Sequence, residues 1–221
     1  MDNTLLCFDG YVKEAMRTGF EKFGLPPYKE EYYEIFDRIN DKYWEDIERG
    51  ELTFAELQKI RWNRVFEEIG ITCDGEAFET FFRTYLNESA ICEPGAEELL
   101  RHLCRKYVLC VASNGPYEQQ IQRLKIGGLY SYFTYFFLSE RIGFQKPSEK
   151  FFDACFRELN AGRKNKIFPE ETMIIGDSLT SDIAGGKNYG MKTCFYNHDG
   201  KNEYGGANYV VTKLEQITKF L

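Results

Sequence analysis

The feature that most constrains the fold is a change of hydrophobic periodicity near Cys92. After this point, short apolar runs that end in small polar residues alternate with amphipathic stretches, as buried strands alternate with helices. The predicted strands are Tyr107–Ser113, Tyr135–Ser139, Thr172–Gly176, Lys192–Tyr196 and Tyr209–Val211. Strands that alternate with helices predict a parallel sheet with helices on both faces. We therefore expect an α/β domain here.

Residues 11–89 have a different texture, rich in charged and aromatic side chains at helical spacing. Thr53 and Glu56 form a capping-box pattern ahead of one helical stretch, and Gly70 is a natural stop at its end. We expect an all-helical domain over residues 11–89, inserted into an α/β domain made of residues 1–10 and 90–221.

Composition and charge exclude several classes of protein. A net charge of -7 argues against a nucleic-acid polymer as partner, because phosphate backbones require a basic face. Seven scattered cysteines without a C-x-x-C pair indicate reduced thiols, and two histidines exclude a histidine-rich metal centre. No apolar run approaches the roughly 20 residues needed to cross a bilayer, and the N-terminus lacks signal-peptide character. We expect a cytoplasmic protein without a membrane partner.

Four polar clusters fall where predicted strands end or helices begin, namely "MDNTL" at Met1, "SNG" at Ser113, "QKP" at Gln145 and "GDSLTSD" at Gly176. Each cluster alone has an ordinary structural interpretation, such as a turn, a helix cap or a solvated lysine. Ligands of parallel sheets bind beyond the carboxyl ends of the strands, so all four clusters are expected to meet in one crevice.

The residue types in these clusters favour phosphoryl chemistry. Acids packed together repel unless a cation neutralises them, and carboxylate oxygens are ligands that suit Mg²⁺. A hydroxyl, backbone N–H groups and an ammonium beside that ion can hold phosphoryl oxygens. The sequence therefore predicts a site that works by positioning and electrostatics on a small phosphorylated metabolite.

In order and content, the four clusters resemble the motifs of the haloacid dehalogenase (HAD) superfamily, from one end of the chain to the other. "MDNTL" is similar to the later part of the family's first motif, D-x-D-N-T-L, with Asp2 as its second Asp. Ser113 matches the second motif, Lys146 the third, and Asp177 with Asp182 the fourth. The resemblance implies a Rossmann-like core with a helical cap between the first two motifs.

The resemblance also implies roles. Asp2 would act as acid and base, its backbone carbonyl would bind Mg²⁺, and Thr4 would fix the loop. Ser113, with backbone N–H groups at Asn114 and Gly115, would bind phosphoryl oxygens. Lys146 would neutralise the nucleophile and the phosphate. Asp177 would be a direct metal ligand with Asp182 behind it. Arg61 is a candidate to contact substrate from the cap, along with Arg64, Trp44 and Trp62, although each also fits the surface or core of the helical domain.

In the family, the nucleophilic Asp would stand directly ahead of the position of Met1. The strand that precedes this Asp lies in the middle of the sheet. We expect the 221 residues alone to show no phosphatase turnover, and an added apolar strand ending in Asp to restore it. There are two interpretations. The first is a misplaced start or a trimmed chain, and the second is a natural protein that binds ligand without turnover. The retained acids favour the first.

Within the superfamily, "DNTL", "SNG" and "GDSLTSDIAGG" are most similar to the house-cleaning pyrimidine 5′-nucleotidases. This resemblance implies a Mg²⁺-dependent 5′-nucleotidase that forms an aspartyl-phosphate and exists as a monomer or homodimer. A phosphoglycolate or sugar-phosphate phosphatase and a phosphomutase share most of these residues and stay open as alternatives.

Overall fold

The computed structural model describes residues 1–221, which divide into two compact units. The helical unit is Phe8–Ala90, and the α/β unit combines Met1–Cys7 with Ile91–Leu221. None of the helices in the structure combines the length and apolar character that a membrane span requires.

The helical unit contains helices only, as the sequence predicts. Their bounds are α1 Phe8–Lys22, α2 Glu30–Glu48, α3 Phe54–Ile69 and α4 Gly75–Glu88. The capping box before α3 is present, since Thr53 accepts from the Glu56 N–H and the Glu56 carboxylate accepts from the Thr53 N–H. Gly70 ends the helix with a φ of 71°, a left-handed conformation that glycine adopts without steric cost.

Aromatic side chains form the core of the helical unit. Trp62 is fully buried, with ring centroids 4.5 Å from Phe78 and 5.2 Å from Phe82. Burial of a Phe-sized side chain stabilises a fold by about 1.5–3 kcal/mol, so this cluster is a large part of the favourable energy of the unit.

The α/β unit follows the predicted alternation. Its elements are α5 Ala96–Leu103, β1 Cys110–Ser113, α6 Tyr117–Ile126, β2 Tyr135–Leu138, α7 Ser139–Ile142, α8 Glu149–Leu159, β3 Met173–Gly176, α9 Gly185–Asn188, β4 Lys192–Tyr196 and β5 Tyr209–Val211. The first strand is shorter than predicted, because Tyr107 and Val108 lie outside the ladder and are each 46% exposed. The last predicted helix is a short 3₁₀ segment, Leu214–Lys219.

All strand pairs are parallel, as predicted, but they form two sheets. β1 pairs with β2, and β3, β4 and β5 form a separate sheet in that order. The expected single sheet is therefore divided, because β1 and β3 are not hydrogen-bonded to each other. The superfamily resemblance places a further strand in the middle of the sheet. A strand at that position, between β1 and β3, would join the two sheets into one.

The longer of the two α-helices between β2 and β3 in sequence, α8, packs on both sheets. Phe151, Phe152, Cys155 and Leu159 of α8 cluster with Phe137 of β2 and Ile174 of β3. This shared core fixes β1–β2 relative to β3–β5 within the unit. The end of β1 and the turn that follows β3 are thereby held close enough for the Lys146 side chain to bond to both.

Candidate active site

Lys146 forms hydrogen bonds through its side chain to residues at the carboxyl ends of both sheets. It lies in the loop between α7 and α8, and its ammonium donates to the Ala112 carbonyl at 3.1 Å and to Asp182 Oδ1 at 2.5 Å. Its side chain is only 6% exposed, so the ion pair forms away from bulk water. The structure thus brings the predicted third and fourth clusters together through a buried charge pair.

The position of Asp182 depends on the local backbone after β3. Residues Leu179–Ala184 form a π-helical turn, a rare geometry that is frequent at functional sites. Asp182 Oδ2 accepts from the Ser178 N–H at 3.3 Å, while Oδ1 accepts from Lys146. A Cβ at Gly176 would lie 2.0 Å from Asp182 Oδ2, so only glycine lets this carboxylate sit against the strand end.

Asp177 directly follows β3 and accepts from the Thr4 hydroxyl at 2.6 Å. Burial raises the pKa of Asp177, and the neighbouring Asp182 charge raises it further, although the N-terminal ammonium and Thr4 oppose the shift. The two carboxylates therefore repel each other. A bound cation would relieve this repulsion, and an all-oxygen donor set of this kind fits Mg²⁺.

The first predicted cluster forms a turn. The Thr4, Leu5 and Leu6 N–H groups all donate to the Met1 carbonyl, and Asn3 has a left-handed φ of 48°, which Asn tolerates better than most residues. The turn brings the Thr4 hydroxyl into hydrogen-bond contact with Asp177 and the Asp2 carboxylate into contact with α6. Thr4 is 3% exposed, consistent with its predicted role of fixing the loop.

Asp2 is held by two side chains of α6. Gln120 Nε2 donates to Asp2 Oδ2 at 2.6 Å, and Arg123 Nη1 donates to Asp2 Oδ1. Burial by itself would raise the pKa of Asp2, but the Arg123 charge, the N-terminal ammonium and the Gln120 hydrogen bond outweigh it and lower that pKa. Both carboxylate oxygens are therefore fixed in the charged form.

Ser113 is the last residue of β1 and is 6% exposed. Its Oγ accepts from the Gly115 N–H at 3.1 Å and from Gln120 Nε2 at 3.2 Å, which orients the hydroxyl so that its own O–H can donate elsewhere. A Cβ at Gly115 would lie 2.1 Å from Gln120 Nε2, so the glycine makes room for this amide. The predicted contact between the Gly115 N–H and a phosphoryl oxygen would require its bond to Ser113 to be given up.

Arg61 does not have the surroundings expected of a substrate ligand, and the side chain of Asn114 makes contacts that the sequence did not predict. The Asn114 side-chain amide bonds to the backbone of Lys146. Arg61 is 3% exposed within the helical unit, where its guanidinium donates to both oxygens of Glu79 and to Asn40 Oδ1 at 2.9 Å. This ion pair holds α3 against α4 and α2, so we do not retain Arg61 as a substrate ligand.

Sequence reasoning missed Gln120 and Arg123. They lie three residues apart on α6 and are 2% and 1% exposed, which is unusual for such polar side chains. The available signal was their i, i+3 spacing directly after "SNG", which puts both on one helix face. Four polar residues lie nearby on the same helix, so spacing alone could not tell which face is buried.

The chain matches a family profile described as haloacid dehalogenase-like hydrolase over residues 1–190. HAD-hydrolase YfnB of Bacillus subtilis is 32% identical, with 100% of this chain and 92% of YfnB covered. A YfnB structure described as bound to magnesium has a TM-score of 0.89 over 100% of this chain and 95% of that one.

Two nucleotidases are also similar to this chain. Pyrimidine 5′-nucleotidase PynA of Streptococcus pneumoniae is 33% identical, covering 89% of this chain and 81% of PynA. Pyrimidine 5′-nucleotidase YjjG of Escherichia coli is 27% identical, covering 100% of this chain and 94% of YjjG. The predicted superfamily, α/β fold class and enzyme class are thereby confirmed: the chain belongs to the haloacid dehalogenase-like hydrolases.

Proposed function

We propose that this protein is a Mg²⁺-dependent phosphatase of small phosphate monoesters and that its substrate is a pyrimidine nucleoside 5′-monophosphate. The observation that carries the proposal is the buried Lys146–Asp182 pair, which joins the strand end bearing Ser113 to the strand end bearing Asp177. This arrangement offers an ammonium and a hydroxyl to one phosphoryl group, with the Asp177 carboxylate beside them to hold the cation. The similarity to PynA and YjjG supports the nucleotide as substrate.

The residues that would hold Mg²⁺ are Asp177, through its carboxylate, and Asp2, through its backbone carbonyl. Asp182 would stay behind them, because its oxygens are bonded to Lys146 and to the Ser178 N–H. The bound ion would supply positive charge to the phosphoryl oxygens. Its own binding would in turn offset the repulsion between the two acids.

Asp2, Ser113 and Lys146 would then guide the transfer to a nucleophile that precedes them in the superfamily's first motif. An aspartate carboxylate ahead of Met1, at the position that the superfamily's first motif gives it, attacks phosphorus and forms an aspartyl-phosphate as the bond to the leaving oxygen breaks. For this step Asp2 must carry a proton, which it takes up as the negative charge of the entering phosphate ester raises its pKa; it gives that proton to the leaving oxygen, which departs as the alcohol. Asp2 then takes a proton from the water that attacks the aspartyl-phosphate, and inorganic phosphate is released.

Lys146 and Ser113 hold the phosphoryl group during both steps. The Lys146 ammonium stays beside the developing negative charge in a place shielded from water, where a charge acts more strongly. Ser113 donates its O–H to a phosphoryl oxygen while Gly115 and Gln120 hold its Oγ. In this proposal the helical unit is the cap that selects the leaving group.

The test is a panel of phosphate monoesters assayed with and without Mg²⁺. The enzyme is the 221-residue chain extended ahead of Met1 by an apolar strand that ends in Asp, and the same extension ending in Asn is the matched control. We expect phosphate release to depend on Mg²⁺ and to be fastest with pyrimidine nucleoside monophosphates. The Asn control should lose about 10⁶-fold in kcat, as loss of a covalent nucleophile does elsewhere.

Three outcomes would contradict the proposal. Faster phosphate release from phosphoglycolate or a sugar phosphate than from pyrimidine nucleoside monophosphates would assign the enzyme to a different substrate class. Transfer within a sugar phosphate with almost no free phosphate would indicate a mutase. Binding of phosphate esters with no turnover by the extended chain would indicate a ligand-binding protein.

A further inference from the structure

The side chain of Asn114 forms a closed pair of hydrogen bonds with the backbone of Lys146, across 32 positions of the sequence. Asn114 Oδ1 accepts from the Lys146 N–H at 2.8 Å, and Asn114 Nδ2 donates to the Lys146 carbonyl at 2.9 Å. A primary amide carries a donor and an acceptor side by side, so it can engage both groups of one residue at once. Aspartate lacks the donor, and glutamine is one methylene longer.

Asn114 is itself fixed at the end of β1. It directly follows Ser113, and its backbone carbonyl accepts from the Ser139 hydroxyl at 3.1 Å, at the start of α7 after β2. The amide therefore extends from a rigid strand end toward the loop that carries Lys146. Through this pair of hydrogen bonds, the end of β1 fixes the position of the Lys146 backbone.

From that backbone position the Lys146 side chain reaches the site. Its ammonium has three N–H donors, of which the Ala112 carbonyl and Asp182 Oδ1 accept two. The third is then available for a phosphoryl oxygen. Ala112 belongs to β1 and Asp182 to the π-helical turn after β3, so a shift of the Lys146 backbone would pull the ammonium away from both acceptors.

The same closed pair occurs twice more in the α/β unit. Asn160 bonds to the N–H and carbonyl of Ile167 at 2.8 and 2.9 Å, and Asn197 bonds in the same way to Lys201 at 2.7 and 2.9 Å. Those two pairs close local loops of 7 and 4 positions, whereas the Asn114 pair joins distant segments at the site. The fold thus uses this device for shape elsewhere, and the Asn160 pair offers a matched control.

We propose that Asn114 is a positioning residue for Lys146, acting on phosphate through that lysine and not by contact of its own. The inference rests on the proposed function for the role of Lys146. It is separate from the role that the superfamily resemblance assigns to Asn114, because that role concerns the backbone N–H and this one the side-chain amide. One amide N–H of Asn114 lies outside the pair, so a direct contact with phosphate is the alternative that the experiment must separate.

The first measurement follows the Lys146 ammonium in the free 221-residue protein by NMR with isotope-labelled lysine. A buried, hydrogen-bonded ammonium exchanges slowly and gives a separate signal, which Lys146→Met assigns by its loss. We expect Asn114→Ala and Asn114→Asp to broaden or shift this signal, while Asn160→Ala leaves it unchanged. An unchanged signal in both folded Asn114 variants would overturn the proposal.

The second measurement is a double-mutant cycle on the binding of inorganic phosphate. We expect Asn114→Ala to weaken binding about tenfold, and to cause no further loss once Lys146 is replaced by Met, because groups acting as one unit are not additive. Equal losses in both backgrounds would show that Asn114 touches phosphate itself. If the wild type binds no phosphate, the proposed function loses support while the lysine signal still decides this inference. Loss of the fold in both Asn114 variants, with Asn160→Ala folded, would make Asn114 structural and contradict the proposal.

Discussion

At the scale of single residues, the site is a set of charges that restrain one another. Lys146 is neutralised by Asp182, and Arg123 is bonded to Asp2. Asp177 has no such ion pair and bonds to the hydroxyl of Thr4. It is therefore the acid whose charge is least compensated, which makes it the best candidate for a direct metal ligand.

Replacement of Asp177 by Asn separates stability from function. Because burial and Asp182 raise the pKa of Asp177, its charge disfavours the folded state at neutral pH, and that cost disappears as pH falls through the raised pKa. We expect Asp177→Asn to raise the melting temperature of the metal-free protein at neutral pH, with the gain shrinking in acid. Thermal melts over a pH series measure this, and a lower melting temperature at neutral pH would contradict it.

In the extended enzyme the same substitution should abolish Mg²⁺-dependent turnover, since a neutral amide is a poorer ligand and cannot offset the charge of the ion. Asp182→Asn should do less damage, about 10- to 100-fold, as expected of a group behind the metal ligands. Steady-state rates against Mg²⁺ concentration compare the two. Near-normal turnover by Asp177→Asn would remove it from the metal site.

Gln120 gives a second residue-scale prediction. Its amide holds both Asp2 and Ser113, so Gln120→Met should lower kcat of the extended enzyme by about 10²-fold through misplacement of these two groups. Gln122→Met is the matched control, because Gln122 is exposed on the same helix. Equal rates for the two variants would show that the contacts of Gln120 have no catalytic consequence.

At the scale of elements, the helices of the helical unit are joined by aromatic packing and by one buried ion pair. The Arg61 and Glu79 side chains are 4% and 5% exposed, and the Arg61 guanidinium also lies 4.9 Å from the Phe82 ring centroid. Breaking such a pair on one side leaves an uncompensated buried charge, which is far more costly than replacing both partners.

Arg61→Met should therefore destabilise the protein by about 3–5 kcal/mol, and Arg61→Met with Glu79→Met should recover most of that loss. Urea unfolding of the two variants measures the difference. The double variant in the extended enzyme also tests the original expectation for Arg61. An unchanged KM for nucleotide agrees with a structural role, whereas a large rise in KM would return Arg61 to the substrate site.

At the scale of the whole molecule, the division into units has a physical basis in the chain. The helical unit is one continuous segment, Phe8–Ala90, whose buried aromatics pack on one another. The α/β unit is built from two segments, Met1–Cys7 and Ile91–Leu221. The three acids of the candidate site, Asp2, Asp177 and Asp182, all belong to this unit. A segment with its own core can in principle fold alone.

We expect residues 8–90 to fold alone as a helical protein with a cooperative thermal transition that Mg²⁺ does not shift. The intact chain should be stabilised by Mg²⁺, because an ion that binds only the folded state raises the free energy of unfolding. Circular dichroism melts of both, with and without Mg²⁺, test this. A fragment without cooperative melting would show that the helical unit needs the rest of the chain.

The local elements and the class of chemistry can be read from the amino-acid sequence. The alternation of apolar runs and amphipathic stretches indicated the parallel strands, and Thr53, Glu56 and Gly70 marked the ends of α3. These features depend on neighbours a few residues apart, which the chain carries wherever it folds. The order of Asp2, Ser113, Lys146, Asp177 and Asp182 was enough to indicate the superfamily.

The partners of the polar side chains depend on the three-dimensional fold. Gln120 and Arg123 meet Asp2 across 118 and 121 positions, and Asn114 meets the backbone of Lys146 across 32. No periodicity encodes such pairs, because each depends on which helix face is buried and on how far a loop reaches once the strands are paired. Arg61 shows the same limit: its residue type suits a substrate ligand, but its burial beside Glu79 makes it part of the core.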